Sequence, residues 1–161
     1  MSNFEFTRNS PEETQEFGRR LGENAVQGDV YLLSGRLGAG KTCLTQGIAW
    51  GLGINEYAAS PTFVLMREMH GRLPLYHIDL YRLDHIEEVA DLGLDDYFYG
   101  RGVCVIEWAE KGLAILPDKN LQVQIDYIND TGRRLRLTPS GKRYEDLLSV
   151  LKDTGKGRGD N

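Results

Sequence analysis

A glycine-rich stretch near the start of the chain constrains its fold more than any other feature. Residues 35–42 match the phosphate-binding loop pattern G-x-x-x-x-G-K-[ST] at every fixed position. An apolar run from Val30 to Leu33 precedes the stretch, and Leu44, Ile48 and Leu52 follow it at helical spacing. This order of strand, loop and helix turns backbone N–H groups and the positive helix end towards one anion. We therefore predict a nucleotide site; the alternative is a glycine-rich helix entry without a ligand.

The residues of this loop have different expected roles. Glycine lets the backbone turn its N–H groups inward around phosphate. Lys41 is expected to reach the β- and γ-phosphates, and the Thr42 hydroxyl to bind Mg²⁺. The residues predicted to form the nucleotide cradle with them are Gly35, Leu37, Gly38, Ala39 and Gly40.

Composition indicates one acidic domain. We predict that residues 1–152 share one core and that the polar, glycine-rich residues 153–161 form a disordered tail. Lys and Arg total 19 against 24 Asp and Glu, a formal net charge of −5, so the surface as a whole does not complement a polyanion. If nucleic acid is involved, we expect another protein to hold it.

Several features favour a cytoplasmic protein without membrane contact. No apolar run approaches the ~20 residues that span a bilayer, and the first residues lack a basic and then apolar leader. Cys43 and Cys104 have no paired or metal-ligand spacing, which fits free thiols in a reducing cytosol.

The spacing of apolar runs predicts an α/β fold. Two runs joined around Gly71, Val64 to Met69 and Leu75 to Tyr81, favour an antiparallel hairpin, because parallel strands need a longer crossover. We therefore expect a P-loop NTPase with a single three-layer domain and a mixed central sheet. The other predicted elements are helices starting at Ser10 and Lys142, a helix-compatible region from Asp84 to Gly100, and strands at 4–6, 103–107, 121–128 and 134–137.

The start of the first helix has a recognisable capping pattern. We predict Ser10 as the N-cap, Pro11 at the first helical position and Glu13 as the residue that completes the capping box. Apolar residues four apart predict one buried face of this helix and place Arg20 on a polar face.

Two carboxylates are candidates for work at the loop. Glu107 ends the apolar run from Val103, where a carboxylate commonly supports Mg²⁺; the alternative is an acid facing water. Alternation places Asp79 on one strand face with His77, where it is suited to position water or hold a metal-bound water. A salt bridge from Asp79 to Arg82 or to another basic residue is the alternative. The histidines lack metal-ligand spacing and are interpreted as structural or solvated.

Two further residues have open interpretations. Thr62, in Ser60 to Phe63, belongs either to a segment that folds over the γ-phosphate or to an ordinary turn. Trp108 is either core filler or the lid of a binding surface.

Together these motifs resemble the bacterial ATPase family TsaE, also called YjeE. The resemblance is carried, in this order, by Gly35 to Thr42, Ser60 to Phe63, Tyr76 to Arg82, and Glu107-Trp108. That family is the ATPase component in tRNA threonylcarbamoyladenosine synthesis. The resemblance implies ATP as substrate, Mg²⁺ as cofactor, and TsaD and TsaB as partners that bind the tRNA.

The resemblance also implies roles for single residues. Thr42 and Glu107 would serve Mg²⁺, and Arg133 would contact the nucleotide. The start of the first helix near Pro11 would close over the adenine. The residues expected to be catalytic are Lys41, Thr62, Asp79 and Glu107.

The match departs from the family at two loop positions. Arg36 stands where the family usually has an acid, and Cys43 where it usually has a hydroxyl residue. Phosphate cradling does not fix either position, so ATP binding is still expected. We hypothesise that Arg36 faces solvent or a partner. An Arg36→Asp variant with unchanged ATP affinity and unchanged complex formation would show that Arg36 is not significant for either.

Other functions built on such a loop remain as alternatives. A small-molecule kinase needs an arginine-rich lid, but the arginines between Thr62 and Glu107 are scattered. A GTPase is disfavoured because no Asn-Lys-x-Asp motif occurs. A nucleotide-gated adaptor would use ATP binding alone. For the ATPase we expect slow hydrolysis without partners, since an external arginine can supply ~10³–10⁵ in rate.

Overall fold

Strands and helices alternate along the part of the chain that the structure describes. The computed structural model describes residues 4–36, 40–56, 66–81, 85, 87, 90–91 and 93–156, with the backbone alone at 111 and 153–156. The strands are β1 (Phe4–Arg8), β2 (Val30–Gly35), β3 (Met66–His70), β4 (Pro74–Asp79), β5 (Val103–Glu107), β6 (Asn120–Tyr127) and β7 (Arg133–Ser140). The helices are α1 (Pro11–Glu23), α2 (Lys41–Gly51), α3 (Asp95–Phe98) and α4 (Lys142–Lys156), and 3₁₀ turns span Ala109–Lys111 and Leu113–Ile115.

The strands form one seven-stranded sheet in the order β1-β7-β6-β2-β5-β4-β3. β2 pairs in parallel with β5 and β6, and β4 pairs in parallel with β5. The pairings β1–β7, β6–β7 and β3–β4 are antiparallel. The predicted mixed sheet and the predicted hairpin around Gly71 are therefore confirmed. Because parallel strands share the edge at which they end, the carboxyl ends of β2, β4 and β5 meet beside the start of α2.

Apolar clusters cover both faces of this sheet. On one face, α1, α2 and α4 pack through side chains that include Phe17, Leu44 and Leu148. On the other face, α3 and the segment around the 3₁₀ turns contribute Phe98 and Leu116. Burying one such side chain stabilises the fold by about 1.5–3 kcal/mol. The sheet thus lies between two helical layers, which confirms the predicted three-layer α/β fold of a P-loop NTPase.

The start of α1 follows from its sequence. The Ser10 hydroxyl accepts a hydrogen bond from the Glu13 N–H at 3.1 Å, and Pro11 occupies the first turn, where its missing N–H is not needed. The Glu13 side chain accepts in turn from the N–H of Asn9, one residue before the cap. The predicted capping arrangement is thus present, shifted by one residue on its second bond.

α1 and α2 approach each other through glycines. Gly18 and Gly22 on α1 face Gly47 and Gly51 on α2, and a methyl group on any of them would overlap backbone atoms of the opposite helix. Both pairs have a spacing of four residues, which places their members on one helix face. The two backbones therefore pack directly against each other.

Some predicted boundaries and exposures differ from the structure. α4 continues to Lys156, so its last residues, 153–156, belong to the segment that we predicted as a tail; disorder of 157–161 stays a prediction, because those residues lie outside the described ones. Of the helix-compatible region from Asp84, the structure gives the bounds of α3 alone. Arg20, predicted on a polar face of α1, is buried and donates to the Leu151 carbonyl oxygen. Within the described ranges, no helix is long and apolar enough to cross a membrane.

Candidate functional site

The predicted phosphate loop lies between the end of β2 and the start of α2, at the edge where the parallel strands end. The strand and the helix predicted on either side of the loop are both present. Gly40 caps α2 with a φ of 110°, a conformation that residues with a side chain rarely adopt. Leu37, Gly38 and Ala39 lie outside the described residues, and their phosphate contacts stay predictions.

Lys41, the first residue of α2, is buried at this edge. Its Nζ donates to the Gly35 carbonyl oxygen at 2.6 Å and lies 3.6 Å from the centre of the Trp108 ring. Burial lowers the pKa of Lys41, and the negative charge of Glu107 is the strongest of the influences that raise it. The ammonium group is thus held between the first residue of the loop, an aromatic ring and acidic side chains.

The two predicted carboxylates end adjacent parallel strands. Asp79 on β4 and Glu107 on β5 are register partners. Glu107 is 2% exposed, so the alternative of an acid facing water does not hold. Asp79 is half-buried, and its Oδ1 accepts from the Tyr81 N–H at 2.9 Å. Arg82, the alternative salt-bridge partner of Asp79, lies outside the described residues.

The surroundings of Asp79 change its acidity. Burial raises the pKa of Asp79, the hydrogen bond from the Tyr81 N–H lowers it, and the nearby charge of Glu107 raises it. The net effect is a pKa above the ordinary value, because removing a carboxylate from water disfavours its charged form. Asp79 is therefore a weaker acid than an exposed aspartate.

His77 contacts Glu107, which the sequence analysis did not predict. His77 is fully buried on β4, and its Nε2 lies 2.5 Å from Oε2 of Glu107. Within the described part of the chain, its Nδ1 has no hydrogen-bond partner. Alternation along β4 places His77 on the same strand face as Asp79. Because Asp79 and Glu107 were both expected at the phosphate loop, this alternation could have indicated that His77 also lies near Glu107.

Trp108 lies over the site and has an unusual backbone conformation. Its φ of 58° and ψ of 39° make it the one non-glycine residue with positive φ among those described. Such conformations carry strain and cluster at functional sites. The ring packs on Tyr81 with 4.8 Å between ring centroids and on the Lys41 ammonium group. Trp108 is also partly buried against the apolar cluster that contains Ile106 and Leu116, so its contacts agree with both interpretations, core filler and lid.

Of the two threonines predicted at the site, the structure describes Thr42. Thr42 lies on the first turn of α2, directly after Lys41, and is exposed at the same edge. Thr62, with the rest of Ser60 to Phe63, lies outside the described residues, so its place in a switch-like segment stays a prediction.

The residues predicted to contact the nucleotide beyond the loop reach the same edge. Arg133 is the first residue of β7, and its Nε lies 3.7 Å from where a Cβ on Gly40 would be. Arg133 is the register partner of Arg8, the last residue of β1. Pro11 follows closely along the chain, so the start of α1 lies at this edge as well. Arg36 is exposed just after β2.

The donor set of the edge suits a particular metal. Carboxylate and hydroxyl oxygens are the ligands of Mg²⁺, which commonly binds through one or two carboxylates together with substrate phosphates. Glu107, Asp79 and Thr42 supply such oxygens. Over the described ranges, no group of three or more His, Cys, Asp or Glu side chains is arranged to hold a metal ion by itself. The edge therefore fits a cation shared with a phosphate ligand better than a closed metal centre.

The chain is similar to proteins of one family. The family model "Threonylcarbamoyl adenosine biosynthesis protein TsaE" matches residues 8–135. A protein called "tRNA threonylcarbamoyladenosine biosynthesis protein TsaE" from Bacillus subtilis (strain 168) is 46% identical over 143 residues, which cover 88% of this chain and 89% of that protein. A protein of the same name from Treponema pallidum (strain Nichols) is 43% identical over 126 residues, 78% of this chain and 93% of that protein.

A solved structure is similar as well. The crystal structure of Bacillus subtilis YdiB matches this fold with a TM-score of 0.83 at 39% sequence identity. The match covers 96% of this chain and 97% of that chain.

Proposed function

Because this chain belongs to the TsaE family of threonylcarbamoyl adenosine biosynthesis proteins, we propose that it is a Mg²⁺-dependent ATPase of that pathway. It acts in forming the threonylcarbamoyl modification of tRNA adenosine next to the anticodon, in a complex with TsaD and TsaB. The observation that carries the proposal is the convergence of Lys41, Asp79 and Glu107 beside the predicted phosphate loop.

The residues at the start of α2 support the proposed binding of ATP. The loop N–H groups and the positive end of α2 bind the phosphates, and Lys41 leaves the Gly35 carbonyl to contact the β- and γ-phosphates. Thr42 and Glu107 hold Mg²⁺, which when bound supplies positive charge to the phosphate oxygens. Arg133 and the start of α1 near Pro11 contact the rest of the nucleotide.

Hydrolysis needs a water molecule in line with the γ-phosphate. We assign the orientation of that water to Asp79; its half-buried position next to Glu107 in the register supports this assignment. Its raised pKa makes its carboxylate a better proton acceptor than an exposed aspartate. Thr62 belongs to the segment that closes over the γ-phosphate, and Trp108 limits access of bulk water from the β5 side.

The acidic surface favours an indirect role in tRNA recognition. The net charge of −5 does not complement a polyanion, so TsaD and TsaB hold the tRNA. An arginine from a partner would account for faster hydrolysis in the complex, since such a residue supplies ~10³–10⁵ in rate. The isolated protein therefore turns ATP over slowly.

The test measures ADP and inorganic phosphate together, with and without TsaD and TsaB. We expect the isolated protein to release ADP and phosphate slowly and in equal amounts, and the partners to accelerate this release. The Lys41→Ala variant should release neither product. Lys119→Ala, an exposed lysine on another part of the surface, is the control and should keep the wild-type rate. Hydrolysis by Lys41→Ala at the wild-type rate would overturn the proposal.

Two alternatives give different results in the same assay. A kinase would release ADP without matching phosphate once its acceptor is present. A nucleotide-gated adaptor would support tRNA modification in a Glu107→Ala variant that no longer hydrolyses ATP, whereas the ATPase would lose both.

A further inference from the structure

The contact between His77 and Glu107 links two buried polar side chains on adjacent strands. The imidazole is fully buried, the carboxylate-bearing side chain of Glu107 is 3% exposed, and Nε2 lies 2.5 Å from Oε2. The strands pair in parallel, with Asp79 opposite Glu107 and His77 opposite Val105. His77 therefore reaches Glu107 diagonally from the position two residues before Asp79.

Stability alone does not account for this pair. Burying polar or charged partners costs desolvation that their attraction often fails to recover, and apolar replacements of similar volume are commonly neutral or stabilising. The Nδ1 atom of His77 has no hydrogen-bond partner among the residues that the structure describes, which adds a further cost. On the same sheet face, Leu75 on β4 and Val105, the register partner of His77, are fully buried apolar residues, so an apolar side chain would suit this layer of the core.

The direction of the hydrogen bond restricts one oxygen of Glu107. A carboxylate that binds a cation is ionised and can only accept, so in the cation-binding form the hydrogen of the contact is on Nε2. Oε2 is thereby occupied, and Oε1 is outside this bond. A carboxylate held on one oxygen by a buried ring has lost most of its freedom to rotate.

We propose that His77 is a positioning residue that fixes the Glu107 carboxylate, so that Oε1 is presented to the cation at the phosphate loop. The proposal rests on the proposed function, in which Glu107 serves Mg²⁺. Residues that hold a metal ligand in place commonly change metal affinity by about 10–100-fold when they are removed. His77 acts through Glu107 and touches neither nucleotide nor metal.

The test compares nucleotide binding with and without Mg²⁺ in matched variants. His77→Leu removes the hydrogen bond and keeps an apolar side chain, whereas His77→Gln keeps an N–H donor in a similar place. His70→Leu replaces an exposed histidine on β3, 72% exposed, and serves as the control. Calorimetry gives the ATP dissociation constant in EDTA and in Mg²⁺, and thermal unfolding gives the stability of each variant.

We expect His77→Leu to bind ATP in EDTA like the wild type but to need about 10–100-fold more Mg²⁺ for the same gain in affinity. His77→Gln should restore much of that gain, and the control should match the wild type. A His77→Leu variant with wild-type Mg²⁺ dependence would overturn the proposal. So would a His77→Gln variant that loses as much as His77→Leu, because retention of the donor would then make no difference.

A second measurement needs neither metal nor nucleotide. In the ¹⁵N-labelled wild-type protein, we expect one imidazole Nε2–H protected from exchange with water, absent in His77→Leu and perturbed in Glu107→Ala. If that signal is missing, the inference fails even when ATP binds. If the signal is present but Mg²⁺ does not raise the ATP affinity of the wild type, the proposal of a Mg²⁺-dependent ATPase is wrong, and the cation-directing role of His77 is wrong with it.

Discussion

Asp79 and Glu107 occupy the same register position at the ends of two neighbouring parallel strands. Side chains at one register position of adjacent strands share a sheet face and lie close together. Two carboxylates so placed repel each other, and burial together with the Glu107 charge raises the pKa of the half-buried Asp79 above its ordinary value. This juxtaposition costs stability at neutral pH and suits a site that needs a cation.

Asp79→Asn should stabilise the protein, and by more as the pH rises. Burial raises the folded-state pKa of Asp79, so the folded chain binds this proton more tightly than the unfolded chain. The destabilisation caused by ionised Asp79 is therefore absent below the unfolded-state pKa of about 3.9 and grows as the pH rises through the folded-state pKa. Urea unfolding of wild type and variant at several pH values checks this. A stability difference that is equal at every pH would contradict it; Asp118→Asn, at an exposed acid, is the control.

Tryptophan fluorescence should report nucleotide binding through Trp108. The Lys41 ammonium group lies 3.6 Å from the centre of this ring and must move to contact phosphates. In a Trp50→Phe variant, where Trp108 is the remaining tryptophan, we expect ATP with Mg²⁺ to shift the emission. In Trp108→Phe the emission should stay constant. An unchanged Trp108 spectrum at ATP concentrations that saturate binding by calorimetry would show that Lys41 keeps its position.

Gly47→Ala should destabilise the protein by about 1–3 kcal/mol. The added methyl group would overlap the Gln15 carbonyl oxygen and crowd the Arg19 nitrogen on α1. The helices must then separate, since both atoms belong to the backbone of α1. Chemical unfolding measures the loss. Ser149→Ala, at an exposed helical position, should stay within about 0.5 kcal/mol of the wild type. A stabilised Gly47→Ala would mean that the helices do not pack through these glycines.

Arg143→Met should destabilise the fold by about 2–4 kcal/mol without changing ATP affinity. Asp29 is buried and accepts two hydrogen bonds from Arg143, at 2.6 and 3.0 Å. Loss of Arg143 leaves that carboxylate without its cation, at the amino end of β2 and away from the phosphate loop. Lys142→Met, whose side chain is 88% exposed, should change little. Chemical unfolding measures the loss of stability, and calorimetry measures the ATP affinity. A weaker ATP affinity in Arg143→Met would show that the amino end of β2 is not independent of the phosphate loop.

Local patterns predicted much of the fold and the centre of the site. The phosphate loop is one continuous motif, and its flanking strand and helix have distinct periodicities. Glu107 was predicted at a buried strand end because four apolar residues precede it directly. Each of these features depends on residues that are adjacent in the chain, which is the range over which a pattern constrains structure.

Contacts between distant segments could not be predicted in the same way. The His77–Glu107 and Lys41–Trp108 contacts depend on the order and register of the strands, which no local pattern specifies. The positive φ of Trp108 is a tertiary effect, because a bulky residue rarely adopts it by itself. Arg20 was expected on a polar helix face, but the docking of α4 covers that face and supplies the Leu151 carbonyl as its partner.

The glycine contacts between α1 and α2 limit how this protein can open and close. With no side chains between the two backbones at these positions, the helices have little room to slide or separate, so they behave as one rigid body. The start of α1 near Pro11 and the start of α2 at Lys41 are then carried together. If nucleotide binds at the phosphate loop as proposed, the side of the site formed by α1 and α2 keeps its shape, and any rearrangement falls to the side where β4 and β5 end.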